Sequence, residues 1–180
     1  MTTQRIVTGH DDQGRSCIIS AGPIAGDTPF TYQPGFSAAV FWQTDKNPAV
    51  GAVEHSVSPA ISAVLPSISG TTALVVTFPP ASSSAAGVEI APELIAKEVE
   101  ERMPGFAQVF EPDAPGFHCT DTIDYAVLIE GELTLVLDDD QRAQIRAGDV
   151  VVQNGTRHAW LNTGECAARV MFVMVGAIRT

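Results

Sequence analysis

Short apolar runs separated by turn-forming residues dominate the C-terminal half of the chain. The runs are rich in Val, Leu, Ile and aromatic residues, and pairs such as Glu-Gly, Ala-Gly, Asn-Gly and Thr-Gly separate them. Short strands at this spacing, with turn signals between them, are typical of an antiparallel sandwich or barrel. The predicted strands are 125–129, 132–137, 141–145, 150–152 and 169–175. Because no helix-length periodic segment interrupts them, the pattern argues against alternating strands and helices.

The N-terminal half contains fewer and less regular strand signals. The predicted strands there are 5–8, 16–20, 38–43 and 72–78, with Gly, Pro and Ser crowding the connections. This half has too few apolar residues for a core of its own. We therefore predict one all-β domain, in which residues 106–180 form the barrel core and residues 1–90 add strands and loops to its sheets.

Residues 91–105 form the one predicted helix. Pro92 suits the first helical turn, and an apolar stripe follows at helical spacing. The stripe consists of Ile95, Val99 and Met103. Two interpretations stay open: a surface helix that covers a flank of the barrel, or a lid over a pocket. The lid is suggested by the Ser-rich and Ala-rich linker before the helix and by the polar cluster after it.

A polar cluster, GFHCTDTID at 116–124, stands where the chain enters an apolar strand. Side chains alternate between the two faces of a strand, so every second residue shares a face. One face carries His118, Thr120, Thr122, Asp124, Ala126 and Leu128, and a second such set of His158, Trp160 and Asn162 follows the Asn154-Gly155 turn. This order predicts a barrel that is polar at its mouth and packed at depth.

Two imidazoles and a carboxylate on neighbouring strands are a set of ligands that divalent metals use. His118, Asp124 and His158 are therefore candidate ligands for one ion of zinc, manganese or iron at the barrel mouth. Thr120 and Thr122 would orient Asp124 or a bound water, and Trp160 would form one wall of the pocket. The alternative is that both histidines are hydrogen-bonded residues of the barrel.

These residues resemble the two sequence motifs of the cupin superfamily. His118, Asp124 and Gly131 match the first motif, and the stretch GDVVVQNGTRHAWLN, from Gly148, matches the second. The chain is similar to small single-domain cupins of the cupin-2 type, in a variant whose first motif reads His-x-Thr-x-Thr-x-Asp. The resemblance covers about residues 110–177 and implies a cupin-type antiparallel barrel, or jelly roll.

The chain departs from the family motif at two positions. Thr120 replaces the second histidine, and Asp124 replaces the longer Glu, which leaves His118, Asp124 and His158 as the plausible ligands. The resemblance implies a metal-dependent enzyme that acts on a small organic molecule, and we expect a lyase or isomerase of the decarboxylase or dehydratase type. An Fe(II)-dependent dioxygenase and a non-catalytic small-molecule-binding cupin are the alternatives.

Composition narrows the class of protein further. The chain of 180 residues has a net charge of −11 and no cluster of Lys and Arg, which argues against nucleic-acid binding. It shows no apolar run long enough for a bilayer and no signal-peptide pattern, so we expect a cytoplasmic protein without membrane contact. We expect a homodimer, because outward apolar residues such as Ile123 and Val127 need to be covered.

Overall fold

Less exposed and more exposed side chains alternate along several strands of the computed structural model, which describes residues 3–50, 61–85 and 90–180. The described elements are β1 (Gln4–His10), β2 (Ser16–Pro23), β3 (Ser37–Thr44), β4 (Thr71–Phe78), α1 (Pro92–Arg102), β5 (Thr122–Glu130), β6 (Glu132–Val136), β7 (Arg142–Arg146), β8 (Val150–Asn154), β9 (Ala159–Leu161) and β10 (Ala168–Gly176). Single 3-10 turns lie at Ala81–Ala85, Ala107–Val109 and Asp138–Asp140. Within these residues, each helix is too short or too polar to cross a bilayer.

Two antiparallel sheets form the barrel. The larger has the order β3-β4-β10-β5-β8, and the smaller has the order β7-β6-β9. The core lies between them and takes side chains from both, among them Leu74, Leu128, Leu133, Ile145 and Val170. The predicted all-β antiparallel barrel is therefore confirmed. The five C-terminal strands predicted from the sequence are all present, and the additional strand β9 is only three residues long.

A tight turn joins the two barrel sheets at Gly131, between β5 and β6. Gly131 has a φ of 80°, which lies in the left-handed region that favours glycine. A Cβ atom at this position would lie 2.7 Å from the carbonyl oxygen of Ala167 and 2.8 Å from the Cα of Ala168. Only a residue without a side chain fits there, which explains the glycine that closes the first motif.

The N-terminal strands divide into two pairs. Strands β3 and β4 extend the larger sheet as predicted, whereas β1 and β2 pair only with each other in the described part of the chain. The expectation that all four strands extend the barrel sheets is corrected for β1 and β2. Neither of these strands has a fully buried side chain, so they lack the inward apolar face that a strand of the barrel sheets contributes.

Helix α1 is tied to the loop between β2 and β3. The carboxylate of Glu98, on the buried side of the helix, accepts hydrogen bonds from the backbone N–H groups of Thr31 and Tyr32, at 2.6 and 2.8 Å. One turn later, the Arg102 guanidinium donates to backbone carbonyls of the same loop and lies 4.0 Å from the centroid of the Phe30 ring. These contacts hold the helix against the open side of the barrel.

Candidate functional site

The chain backbone brings His118 and His158 together. The backbone N–H of each residue donates to the carbonyl oxygen of the other, and both hydrogen bonds measure 3.0 Å. This antiparallel bridge places the two imidazole rings with their centroids 4.3 Å apart. The turn that returns the chain from β8 passes through Gly155, whose φ is 61°. The predicted convergence of the two histidines is therefore present in the structure.

Both imidazoles have one ring nitrogen engaged by the backbone. His118 Nδ1 lies 3.1 Å from the carbonyl oxygen of Gly116, and His158 Nδ1 lies 3.0 Å from that of Thr156. A carbonyl oxygen can only accept a hydrogen bond, so we infer that Nδ1 carries the proton in each ring. The Nε2 atom of each neutral ring then keeps its lone pair and can act as a base or a ligand.

Burial holds both histidines in the neutral form. It lowers the pKa of His118, and it lowers the pKa of His158 to about 4, with a further contribution from the neighbouring His118. Removing a cation from water disfavours the charged imidazolium, and two adjacent imidazoles disfavour it again. At neutral pH the site therefore presents two uncharged rings.

Asp124, on β5, is a buried carboxyl group with incomplete hydrogen bonding. Its side chain is 6% exposed, and its Oδ1 atom has no hydrogen-bond partner among the described residues. Burial raises the pKa of Asp124 to about 6, against a smaller lowering by the hydroxyl of Thr122. The group therefore exchanges its proton close to neutral pH, where an acid or base catalyst works best.

Thr120 and Thr122 lie beside Asp124 on the same side of the chain. Both are buried, and their hydroxyl oxygens lie 2.7 Å apart in a shared hydrogen bond. The predicted alternation of faces is confirmed, since residues 118, 120, 122, 124, 126 and 128 are all buried whereas Asp121 and Tyr125 are exposed. The two threonines do not line the cavity described next, and their catalytic role stays a prediction.

A cavity of about 890 Å³ opens between α1 and the inner face of the larger sheet. His118, Asp124, His158 and Trp160 line it together, as the sequence predicts for a pocket at the barrel mouth. The Trp160 ring stands edge-on to His158, with centroids 6.0 Å apart, and edge-on to Phe172 at 5.5 Å. Trp160 therefore forms a wall beside the imidazoles.

Much of the remaining wall comes from residues that the sequence reasoning missed. Phe110 and Phe106 contact the His118 ring, with centroid distances of 4.8 and 5.6 Å. Phe30 and Phe36 line the cavity from the loop between β2 and β3. All four lie outside regular strands and helices, where no periodic pattern marks which way a side chain points. Their aromatic character was the one available signal.

The apolar stripe of α1 faces the cavity. Ile95, Val99 and Met103 are all lining residues, so the helix does more than cover a flank of the barrel. The charged residues of the helix point elsewhere, among them Lys97 and Glu101, which form an exposed pair. The stripe thus belongs to the pocket wall. Movement of the helix as a lid stays a prediction.

The structure does not group His118, Asp124 and His158 as three ligands of one metal ion. Among the described residues, no group of three His, Cys, Asp or Glu side chains has an arrangement that could hold a metal ion. The two imidazoles are adjacent, but Asp124 does not complete a third position in this arrangement. The metal site stays a prediction from the sequence, and the acid and base groups of the cavity supply chemistry of their own.

Comparison with known proteins identifies relatives for part of the chain. The chain is 44% identical over 61 residues to Phomopsin biosynthesis cluster protein C' of Diaporthe leptostromiformis, which covers 33% of this chain and 32% of that protein. It is 41% identical over 61 residues to the Cupin-domain-containing oxidoreductase srdD of Neurospora crassa, covering 32% of this chain and 31% of that protein. The matched segment thus spans about a third of the length of these curated relatives. The predicted resemblance to the cupin superfamily is confirmed.

Solved structures give a weaker likeness over more of the chain. The cupin domain of Schizosaccharomyces pombe Cnp3 aligns with a TM-score of 0.46 and 10% identity, covering 98% of this chain and 89% of that one. No family model matches the chain.

Proposed function

We propose that this chain is a cupin-type enzyme that transfers protons on a small organic molecule, as a lyase or isomerase. The supporting observation is the cavity itself, in which two neutral imidazoles and one carboxyl group of raised pKa share an otherwise largely apolar wall. Active sites commonly contain two titratable groups whose environments shift their pKa values apart. One of these groups serves as the acid and the other as the base.

The histidines take the role of the base. Nδ1 of each ring donates to a backbone carbonyl oxygen, so the Nε2 lone pair is available to accept a proton from a substrate carbon or hydroxyl group. The Nδ1 hydrogen bonds also fix the ring orientation and stabilise the imidazolium that forms. Two adjacent imidazolium rings would repel each other. One histidine therefore accepts the proton and the other stays neutral.

Asp124 takes the role of the acid. In its protonated form it gives its proton to the oxygen that departs from the substrate, or to a carbonyl oxygen that becomes an enol. Each turnover then moves one proton from the substrate to imidazole and one from Asp124 to the substrate. After elimination of water, return of a proton from the imidazolium to Asp124, directly or through water, restores the starting state. For migration of a double bond, the imidazolium instead gives its proton to another carbon of the enol, and the enol oxygen returns its proton to Asp124. Elimination of water and migration of a double bond both fit this scheme.

An exchange experiment tests this proposal without knowledge of the natural substrate. An alkyl aryl ketone, para-hexylacetophenone, is incubated with the protein in deuterated buffer, and exchange of its α protons is followed by NMR. We expect the wild-type protein to accelerate exchange and His158→Ala to lose at least about 100-fold of that acceleration, a typical contribution of general acid–base catalysis. Tyr125→Phe, on the exposed face of β5, is the control and should retain it. Equal rates in wild type and His158→Ala would contradict the proposal.

An Fe(II)-dependent dioxygenase is the second candidate, and one observation favours it. The two Nε2 atoms are free beside a carboxyl group whose Oδ1 lacks a partner, so His118 and His158 could bind an ion whose other positions are filled by water or substrate. Elemental analysis of protein purified without added ions distinguishes the dioxygenase from the lyase or isomerase. The control is Cys119→Ala, since the Cys119 thiol donates to the carbonyl oxygen of Gly155 and the residue does not line the cavity. A stoichiometric metal that is lost in His158→Ala and kept in Cys119→Ala would favour this candidate. A non-catalytic binder is favoured if neither exchange nor oxygen consumption is detected.

A further inference from the structure

The walls of the cavity are apolar over most of their area. One wall consists of side chains from the larger sheet, such as Leu74, Val76 and Met174, and the opposite wall is the stripe of α1. Aromatic rings from the loops close the space between them. A volume of about 890 Å³ lies near the upper end of the range of roughly 300–1,000 Å³ for small-molecule sites. Such a cavity accommodates a molecule with a substantial hydrocarbon body.

The cavity offers no positive charge to a ligand. No Lys or Arg side chain is among the lining residues that the structure describes. The one lining carboxylate apart from Asp124 is Glu111, and its two oxygens accept hydrogen bonds from the Arg157 guanidinium at 2.6 and 2.7 Å. Arg157 itself is outside the lining, and it also donates to Asp138. A bound phosphate or carboxylate would therefore lose its water and find no cationic partner, which is strongly unfavourable.

Polar groups are concentrated where the two bridged histidines meet. His118 precedes β5 and His158 precedes β9, and the backbone bridge joins them. Asp124 enters the same cavity from β5. A ligand with one hydroxyl or carbonyl oxygen can place it against these groups and its apolar part against the sheet and the helix.

We infer that the substrate is an uncharged, largely aromatic or aliphatic molecule that presents one hydroxyl or carbonyl oxygen to His118, His158 and Asp124. This inference rests on the proposed function and narrows it. Anionic substrates are excluded by this inference. The expected reaction is therefore dehydration or isomerisation of an alcohol, phenol or ketone, and not decarboxylation of a carboxylate.

Matched ligands that differ in charge test this inference by calorimetry on the 180-residue chain. The probes are para-hexylphenol, which is neutral at pH 7.5, and para-hexylbenzoate, which is an anion. We expect the dissociation constant of the phenol to be at least about tenfold lower, a difference of about 1.4 kcal/mol. Equal affinity, tighter binding of the benzoate, or no measurable binding of the phenol would overturn the inference.

Two lysine substitutions on α1 test whether the preference for the neutral ligand arises in the cavity. Ile95 lines the cavity, whereas its neighbour Leu94 is 42% exposed and does not. Ile95→Lys places a cation in the wall and should shift the preference towards the benzoate by about tenfold or more, as expected for a new charge pair of about 1.4 kcal/mol. Leu94→Lys should keep the wild-type preference. Identical behaviour of the two variants, both folded by circular dichroism, would overturn the assignment.

Binding and proton exchange can fail separately. If the phenol binds as expected but the wild-type protein exchanges no protons on the ketone, the substrate class stands and the acid–base function is wrong. If exchange depends on His158 but the benzoate binds as well as the phenol, the function stands and the substrate class is wrong.

Discussion

Asp124 combines a buried position, an unpartnered oxygen and a raised pKa. A carboxylate in such a place destabilises the fold, because the ionised form loses water and gains only the Thr122 hydroxyl as a partner. Natural proteins keep groups of this kind mostly where function requires them. The proposed acid–base function would explain why the chain keeps Asp124 despite its cost to stability.

The pH dependence of stability follows from the sign of this shift. The pKa of Asp124 is about 6 in the folded protein and 3.8 in its ordinary environment, so the folded state binds the proton more tightly. The stabilisation that the folded state gains by binding this proton is fully present below about pH 3.8, and it is lost as the pH rises through about 6. Asp124→Asn should therefore increase the free energy of unfolding at pH 8 by roughly 1–3 kcal/mol and change it much less at pH 4.

Urea denaturation at the two pH values measures this effect. Glu130→Gln, at the exposed end of the same strand, is the matched control and should change stability little at either pH. A variant Asp124→Asn that is equally or less stable than wild type at pH 8 would show that the carboxylate has a partner in solution.

Prediction from sequence worked best for residues in regular strands. The alternation from His118 to Leu128 was readable because each inward residue repeats at a spacing of two, and the turn at Asn154-Gly155 marked the return to His158. Prediction from sequence failed for Phe30, Phe36 and Phe106, because side chains in loops do not alternate between two faces at a regular spacing. It also could not show how His118, Asp124 and His158 would be placed relative to one another, because that depends on how two sheets meet.

At the scale of elements, one buried ion pair fastens the N-terminal segment to the larger sheet. Arg169, on β10, pairs with Asp27 and also donates to the hydroxyls of Thr3 and Thr77. The side chains of Arg169 and Asp27 are only 12% and 6% exposed. No local sequence pattern marks this pair, because its members are 142 positions apart.

Removal of one partner should be costly. Arg169→Met leaves the Asp27 carboxylate buried without its cationic partner and with only the hydroxyl of Ser37 as a donor. We expect the free energy of unfolding to fall by about 3–5 kcal/mol. The double variant Arg169→Met with Asp27→Leu removes both charges and should recover most of that loss. A double variant as unstable as Arg169→Met, measured by urea denaturation, would assign the loss to packing instead.

Helix α1 depends on a different carboxylate. Burial would raise the pKa of Glu98, but hydrogen bonds from Thr31 and Tyr32 outweigh it and the pKa is lowered. Glu98→Ala should therefore release the helix from the loop and increase hydrogen–deuterium exchange across Pro92–Arg102, with little change in the barrel strands. Glu101→Ala, on the exposed side of the helix, serves as the control. Equal protection in Glu98→Ala and wild type would show that the apolar stripe alone holds the helix.

At the scale of the whole molecule, the outer face of β5 and β8 carries exposed apolar residues in cross-strand register. Tyr125 lies opposite Val152, and Val127 lies opposite Val150. The exposed fractions of Tyr125, Val150 and Val152 are 48%, 65% and 59%, and β8 is an edge strand. An apolar face next to an open sheet edge is typical of a surface that another chain covers.

We therefore propose that two copies of the chain associate through this face. Light scattering coupled to size-exclusion chromatography should give a dimer for the wild type and a 19.0 kDa monomer for Val152→Lys. Leu94→Lys, on α1, should remain a dimer. A wild-type protein that is monomeric at micromolar concentration would contradict the homodimer.

The proposed acid–base function requires that His118 and His158 are neutral, are protonated at Nδ1, and face a ligand in one cavity. Long-range proton–nitrogen NMR of histidine-labelled protein reads the protonation of each ring nitrogen. At pH 7 we expect both residues to show a protonated Nδ1 and an unprotonated Nε2, and we expect para-hexylphenol to shift both Nε2 signals. Signals of an imidazolium or of the opposite tautomer at pH 7, or Nε2 signals that do not respond to the phenol, would contradict the account.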